Sequence, residues 1–219
     1  MTPSRRVSES NSGWRGAHGL VLVALMALVG AVPPLRRWPW FWVAVLLGYC
    51  VVVAVVPGLR RTFSRWKFGT VSSGSITAAI VITLVSSLAL IAFQAFVRPE
   101  VSEIQSELPS ASGAWLILAA FGFAIVNATL EELVFRGVLF DAAAAMAGQW
   151  AAILATSVFF GWGHMRGGYP PGLLGAFLAS FYGIALGLLR SHTGGLGLPI
   201  LVHIGADLTI FALVSRTSG

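Results

Sequence analysis

Long apolar runs separated by short polar stretches organise the 219-residue chain. A bilayer-spanning helix needs about 20 mostly apolar residues to cross roughly 30 Å. Runs of that kind fall near 17–35, 38–57, 74–97, 114–135, 149–165, 171–189 and 196–215. The pattern predicts an all-α fold, a polytopic membrane helical bundle of about seven transmembrane helices. Residues 1–16, polar and rich in Ser and Arg, are expected to form a frayed cytoplasmic tail. Residues 17–112 then hold the N-terminal transmembrane helices and an acidic loop. That loop, Arg98 to Gly113, contains Glu100, Glu103 and Glu107 without apolar periodicity. Residues 113–215 form the remaining segment, and neither a repeat nor a second domain interrupts the series. The first run follows Arg5, Arg6 and Arg15 as the core of a signal peptide would. No small-x-small cleavage site closes it, so it is expected to be a retained helix.

Composition supports the membrane class. The chain is 57% hydrophobic and 10% charged, with a mean hydropathy of +0.84, whereas soluble domains carry about 25% charged residues. A net charge of +6 admits nucleic acid as a partner in principle. The basic residues are dispersed between apolar runs, where lipid headgroups attract them, so the bilayer is the expected partner and nucleic acid is not. With the N-terminus inside, Arg5, Arg6, Arg15, Arg60, Arg61, Arg65, Lys67, Arg136 and Arg190 gather on one side. Arg36, Arg37, Arg98, Arg166 and Arg216 gather on the other. The positive-inside rule then favours a cytoplasmic N-terminus and an external acidic loop. Trp38, Trp40, Trp42, Trp66, Trp115 and Trp150 lie near the ends of runs and read as interfacial anchors. Cys50 is the only cysteine, which excludes an internal disulfide, and its apolar neighbours argue against a reactive thiolate.

Several residues break the apolar runs where lipid would penalise them. Asn127, Glu131, Glu132 and Arg136 interrupt the fourth run. A charged group at the centre of a lipid-facing helix costs roughly 2.5–3.5 kcal/mol, so these must face protein, water or headgroups. At α-helical spacing Glu132 and Arg136 share a face and can pair. Glu131 lies about 100° round from Glu132, toward a different neighbour. The fifth run places His164 four residues after Phe160, and the last places Asp207 four after His203. His18 and His192 lie in polar flanks and receive no role. Glu131 precedes Gly148 by 17 residues and His164 follows it by 16. A tight turn at Gly148–Gln149 therefore brings a Glu–His dyad level. His203 sits only about 10–15 Å from the Gly194–Gly195 loop along its helix. Tilt, a broken helix or a re-entrant stretch at Thr193–Pro199 is needed to bring it to the depth of His164.

Glu131-Glu132-x-x-x-Arg136, then Phe160-x-x-x-His164, then His203-x-x-x-Asp207 resemble the three motifs of the CAAX protease and bacteriocin-processing (CPBP, or Abi) family of intramembrane glutamic endopeptidases. The Thr193-Gly194-Gly195-Leu196 lead-in is similar to that family's as well. The resemblance makes 113–215 a CPBP-like catalytic core. It implies that Glu131 and His164 activate a water, that His203 and Asp207 stabilise the oxyanion, and that Glu132 and Arg136 support the site, with Phe160 and Asn127 beside them. Where the family often has Asn, this chain has Asp207, which donates a hydrogen bond only when protonated; alternatively it orients His203. The resemblance favours a metal-free site. Zinc held by Glu131, His164 and His203 is the alternative, although no H-E-x-x-H signature is present. A non-catalytic immunity or scaffold protein, or a small carrier using these residues as a proton relay, is a further reading. The expected substrate is a peptide or a lipidated or C-terminally anchored protein, and the expected location is a bacterial cytoplasmic membrane.

Overall fold

The structure is a computed structural model that describes residues 3–63, 66–102, 105, 113–165 and 167–216. Arg65, Arg166, Glu103 and Glu107, which entered the charge count and the acidic loop, lie outside the described residues. Among the described residues every regular element is a helix. In chain order these are α1 (Pro3–Gly30), α2 (Trp40–Val55), α3 (Pro57–Thr62), α4 (Ser73–Val97), α5 (Ala114–Glu132), a π-helical segment (Leu133–Leu139), α6 (Phe140–Ala147), α7 (Gln149–His164), α8 (Gly172–Thr193) and α9 (Gly197–Arg216). A short 3-10 turn at Pro33–Arg36 separates α1 from α2. Helix α1 begins at Pro3, so the stretch read as a frayed tail continues the first helix.

The helix ends follow from local chemistry. The prolines at 39 and 57 bound α2: Pro57 starts α3 at its first turn and forces Val56 into extended backbone. Ser72 caps α4, accepting the Ser75 N–H at 3.1 Å while the Ser75 hydroxyl accepts the Ser72 N–H at 2.8 Å, a reciprocal capping box. Gly148, at φ +85°, closes α6, and α7 starts at the next residue, as the ruler from Glu131 to His164 requires.

Five helices among the described residues are long and apolar enough to cross a membrane: Gly13–Gly30, Ser73–Val97, Ala114–Ala147, Gly172–Thr193 and Gly197–Ser215. The expectation of about seven spans is met for these five. Helices α2 and α7 have 16 residues each, about 24 Å at 1.5 Å per residue, short of the roughly 30 Å hydrocarbon core. The protein is an integral membrane protein, and its lipid-facing surface accounts for exposed side chains such as Leu20, Leu84, Phe96, Trp115 and Phe181.

The chain divides into two compact units. The first comprises residues 1–66 and 133–156, in which α1 packs on α2, α3 and α6. His18 lies inside α1 rather than in a polar flank, and it is buried. The Tyr49 hydroxyl lies 2.7 Å from its Nδ1 and Thr62 Oγ1 lies 3.2 Å from its Nε2. The Thr62 hydroxyl donates to the Gly58 carbonyl at 2.9 Å, so Nε2–H donates to Thr62 and Nδ1 accepts from Tyr49. This polar chain ties α1 to α2 and α3.

The second unit comprises residues 67–132 and 157–219. There α9 packs against α4, α5 and α8. Its core includes a cluster around Leu90, Phe93, Tyr169 and Ala206 and another around Ala79, Leu186, Leu198 and Val202. Residues 67–70 strap the start of α9. Thr70 N–H donates to the Thr193 carbonyl at 2.8 Å, Leu196 N–H to Lys67 at 2.9 Å and Gly197 N–H to Phe68 at 2.9 Å. A methyl group on Gly195 would collide with the backbone of Phe68 and Gly69, which explains the glycine in the lead-in. Between the last two helices, Gly194, in the left-handed region at φ +67°, ends α8, and α9 runs unbroken from Gly197.

Candidate active site

The polar residues of the second unit meet where three helices begin or end. Glu131 and Glu132 close α5, His164 closes α7, and His203 lies in the second turn of α9. Each is placed by close packing. Where α7 crosses α8, a methyl on Gly161 would collide with Ser180 Oγ and the Ala176 carbonyl, and one on Gly183 would lie 3.0 Å from Ser157 Cα. Small residues admit this approach, as at many membrane helix contacts. In the same way a methyl on Gly205 would come within 2.6 Å of Thr83 on α4.

His203 is the hub. It is buried, and its Nδ1–H donates to Oε1 of the fully buried Glu132 at 2.8 Å. Its Nε2 lies 3.7 Å from Oε2 of Glu131 and 3.7 Å from Oδ1 of Asp207. The other Asp207 oxygen accepts from Asn127 Nδ2 at 3.1 Å. The imidazole therefore has one nitrogen committed to Glu132 and the other facing two carboxylates. Both of those distances exceed hydrogen-bond reach, so an oxygen of water or substrate is the natural intermediary. Glu131 is the more accessible of the paired acids, its side chain 15% exposed against 0% for Glu132.

His164 joins through an aromatic neighbour. Its Nδ1 lies 3.0 Å from the Phe160 carbonyl. A carbonyl only accepts, so Nδ1 carries the proton and Nε2 keeps its lone pair in the neutral ring. The Phe160 ring is buried, with its centroid 4.7 Å from that of His164 and 5.9 Å from that of His203. Phe160 thus touches both imidazoles. The loop after His164 is held by Tyr169, whose hydroxyl donates to Gln94 Oε1 at 2.8 Å. Burial pushes this phenol up to about 12, so it remains a donor.

The structure brings Asn127, Glu131, Glu132, Phe160, His164, His203 and Asp207 into one unit. Arg136 is fully buried within the π-helical segment, which belongs to the other unit, with its guanidinium 6.0 Å from the Phe135 ring centroid. The winding changes at Leu133. In a π-helix the hydrogen bonds run from i to i+5, a winding that begins one residue after Glu132 and includes Arg136. The same seven residues interrupt the uniform helical rise assumed between Glu131 and Gly148. Sequence reasoning missed Tyr182, whose ring centroid lies 5.7 Å from His203. Tyrosine in an apolar helix carries no signal that separates packing from a role at the site.

A zinc site would need Glu131, His164 and His203 to converge on one point. Among the described residues no three His, Cys, Asp or Glu side chains are grouped so as to hold a metal ion.

Residues 113–209 match the family model described as type II CAAX prenyl endopeptidase Rce1-like. Over this segment the chain is similar to the Rce1-like family. The segment runs from the start of α5 into α9 and contains Asn127, Glu131, Glu132, Arg136, His164, His203 and Asp207. Curated relatives carry a different description, that of the E component of an ion-translocating oxidoreductase complex. The protein so described from Escherichia fergusonii is 26% identical over 162 residues, 73% of this chain and 66% of its own length. Its counterpart from Sodalis glossinidius is 27% identical over 146 residues, 65% of this chain and 60% of its own length. The chain covers less than two thirds of these relatives. The Rce1-like match falls on the segment that carries the intramembrane acids and histidines. No solved structure matches the chain.

Proposed function

We propose that the protein is an intramembrane endopeptidase that hydrolyses a peptide bond in a membrane-tethered or lipidated protein through a water activated by Glu131 and His164. The observation that carries this reading is the arrangement around His203: Nδ1 bonded to Glu132, Nε2 within 3.7 Å of both Glu131 and Asp207. Glu131 takes a proton from the water, and the water oxygen attacks the peptide carbonyl carbon. The carbonyl oxygen gains charge and is stabilised by Nε2–H of His203, held as an imidazolium because Nδ1–H already donates to Glu132, with Asp207 orienting or sharing that donor. The C–N bond then breaks as the proton passes to the leaving amine. A donor aimed at such an oxyanion is worth about 2.7–4 kcal/mol. Glu132, Asn127, Phe160 and Arg136 support the site. The reaction needs no metal in this reading.

Substrate access through the bundle favours a chain already at the bilayer, and the Rce1-like family description supports a C-terminally lipidated one. The distribution of basic residues favours a cytoplasmic N-terminus, and the resemblance to bacterial members of the family favours a bacterial cytoplasmic membrane. Glu131→Gln in purified, folded protein should abolish cleavage of precursors that accumulate in a deletion strain, read by comparing peptide termini with and without the protein. Unchanged termini in the deletion, or full cleavage by Glu131→Gln, overturns the proposal. The similarity to components of an ion-translocating complex favours a second reading, a proton or ion path through the same acids. Ion flux into protein-loaded vesicles that Glu131→Gln abolishes, without any cleavage, would select it.

A further inference from the structure

We propose that Tyr182 is a positioning residue that fixes the ring plane of His203, and that it acts through its aromatic ring rather than its hydroxyl. This rests on the peptidase reading above. A histidine side chain on a helix swings readily about its outer torsion, whose energy profile is broad. The bond from Nδ1 to Glu132 anchors one ring atom but tolerates a range of angles. Two further contacts define the plane. Phe160, from α7, lies 5.9 Å from the imidazole centroid at an interplanar angle of 86°. Tyr182, from α8, lies 5.7 Å away at 85°. Both are edge-to-face geometries at the separations aromatic pairs prefer.

Tyr182 is itself held by the core. It packs against both hydrophobic clusters of the second unit. Val202 and Ala206, which flank His203 along α9, are members of those clusters. The next residue, Gly183, is where α8 comes closest to Ser157 of α7. The position of the Tyr182 ring is thus set by three helices, and His203 takes its plane from a rigid surface. A ring swing on the order of 30° about that torsion shifts Nε2 by roughly 0.3–0.4 Å and turns its N–H direction by roughly 15–20°, which uses up the tolerance of about 0.5 Å and 10–20° within which a site stays productive. Without the ring, Nε2 would wander relative to Glu131 and Asp207 while the bond to Glu132 persisted.

The test uses the full chain purified in lipid nanodiscs, with two readouts. The first is nitrogen NMR of ¹⁵N-histidine-labelled protein, with the His203 signals assigned from His203→Asn. The second is cleavage of an internally quenched, farnesylated CAAX peptide, with kcat, KM and the pH profile measured. Tyr182→Phe should keep the Nδ1–H signature of His203 and stay within about twofold of wild type. Tyr182→Leu, and Tyr182→Met as a more accommodating replacement, should broaden the His203 Nε2–H signal through motion while the Nδ1–H signature persists. They should also lower kcat by about tenfold or more with KM within about twofold, and shift the pH profile. A His203 Nε2–H signal as sharp as in wild type, together with retained kcat, in the folded Leu or Met variant overturns the proposal. So does a Phe variant as impaired as Leu, which would place the role on the hydroxyl. If wild type cleaves no peptide, the peptidase reading fails by itself, and the NMR readout still decides the role of Tyr182.

Discussion

The bond between His203 and Glu132 is the strongest quantitative handle on the site. Its 2.8 Å separation and the burial of both groups, 4% and 0% exposed, leave neither with water as a substitute. Hydrogen bonds to a charged partner contribute about 1.5–3 kcal/mol, and leaving a buried donor unsatisfied costs about 1–3 kcal/mol. Side-chain hydrogen bonds in membrane proteins average about 0.6 kcal/mol and reach about 1.7 in double-mutant cycles. A charge-assisted, fully buried pair belongs at or above the top of that range, so the coupling should be about 1.5–2.5 kcal/mol. The assay is a double-mutant cycle of Glu132→Ala and His203→Ala, with equilibrium unfolding in mixed micelles followed by the fluorescence of the 8 tryptophans. Glu132→Gln, which retains an oxygen acceptor, should recover part of the loss. In cleavage assays Glu132→Ala should cost roughly 10²-fold, the scale of an approximately 1 Å misplacement of His203. A coupling energy below about 0.3 kcal/mol, the scatter expected of independent sites, would refute the reasoning.

Other outcomes follow from the packing and from the ligand geometry. Gly161→Val must push α7 from α8 against Ser180 and the Ala176 carbonyl; overpacking of this kind costs about 1–3 kcal/mol, and thermal unfolding should show it alongside reduced activity. Gly195→Ala should loosen the strap from residues 67–70, read as faster amide exchange at Thr70, Leu196 and Gly197, whereas Gly163→Ala, which meets open space, should be silent. Exhaustive chelation should leave cleavage unchanged; loss of activity restored by zinc alone would reinstate a metal site.

The sequence by itself determined the solvent. Apolar runs long enough to cross a bilayer, with few charges to hold a soluble surface, leave only helices that satisfy their own backbones. It also marked Glu131, Glu132, His164, His203 and Asp207, because ionisable groups inside apolar helices are costly enough to need a reason. What it left open was partnership. Spacing rules apply within one uniform helix, so they could relate Glu132 to Arg136 but could reach neither the π-helical winding at Leu133 nor a partner of Glu132 on another helix. Its contact with His203 joins residues 71 positions apart, and it exists only because α9 packs on α5. His18 looked like a polar flank because its partners, Tyr49 and Thr62, come from two later helices. Tyr182 is apolar enough to disappear into its own run. Period and composition record what a helix turns toward lipid and what it withholds. Which withheld groups meet depends on helix crossings, and those are set by the close approaches at Gly161, Gly183, Gly195 and Gly205.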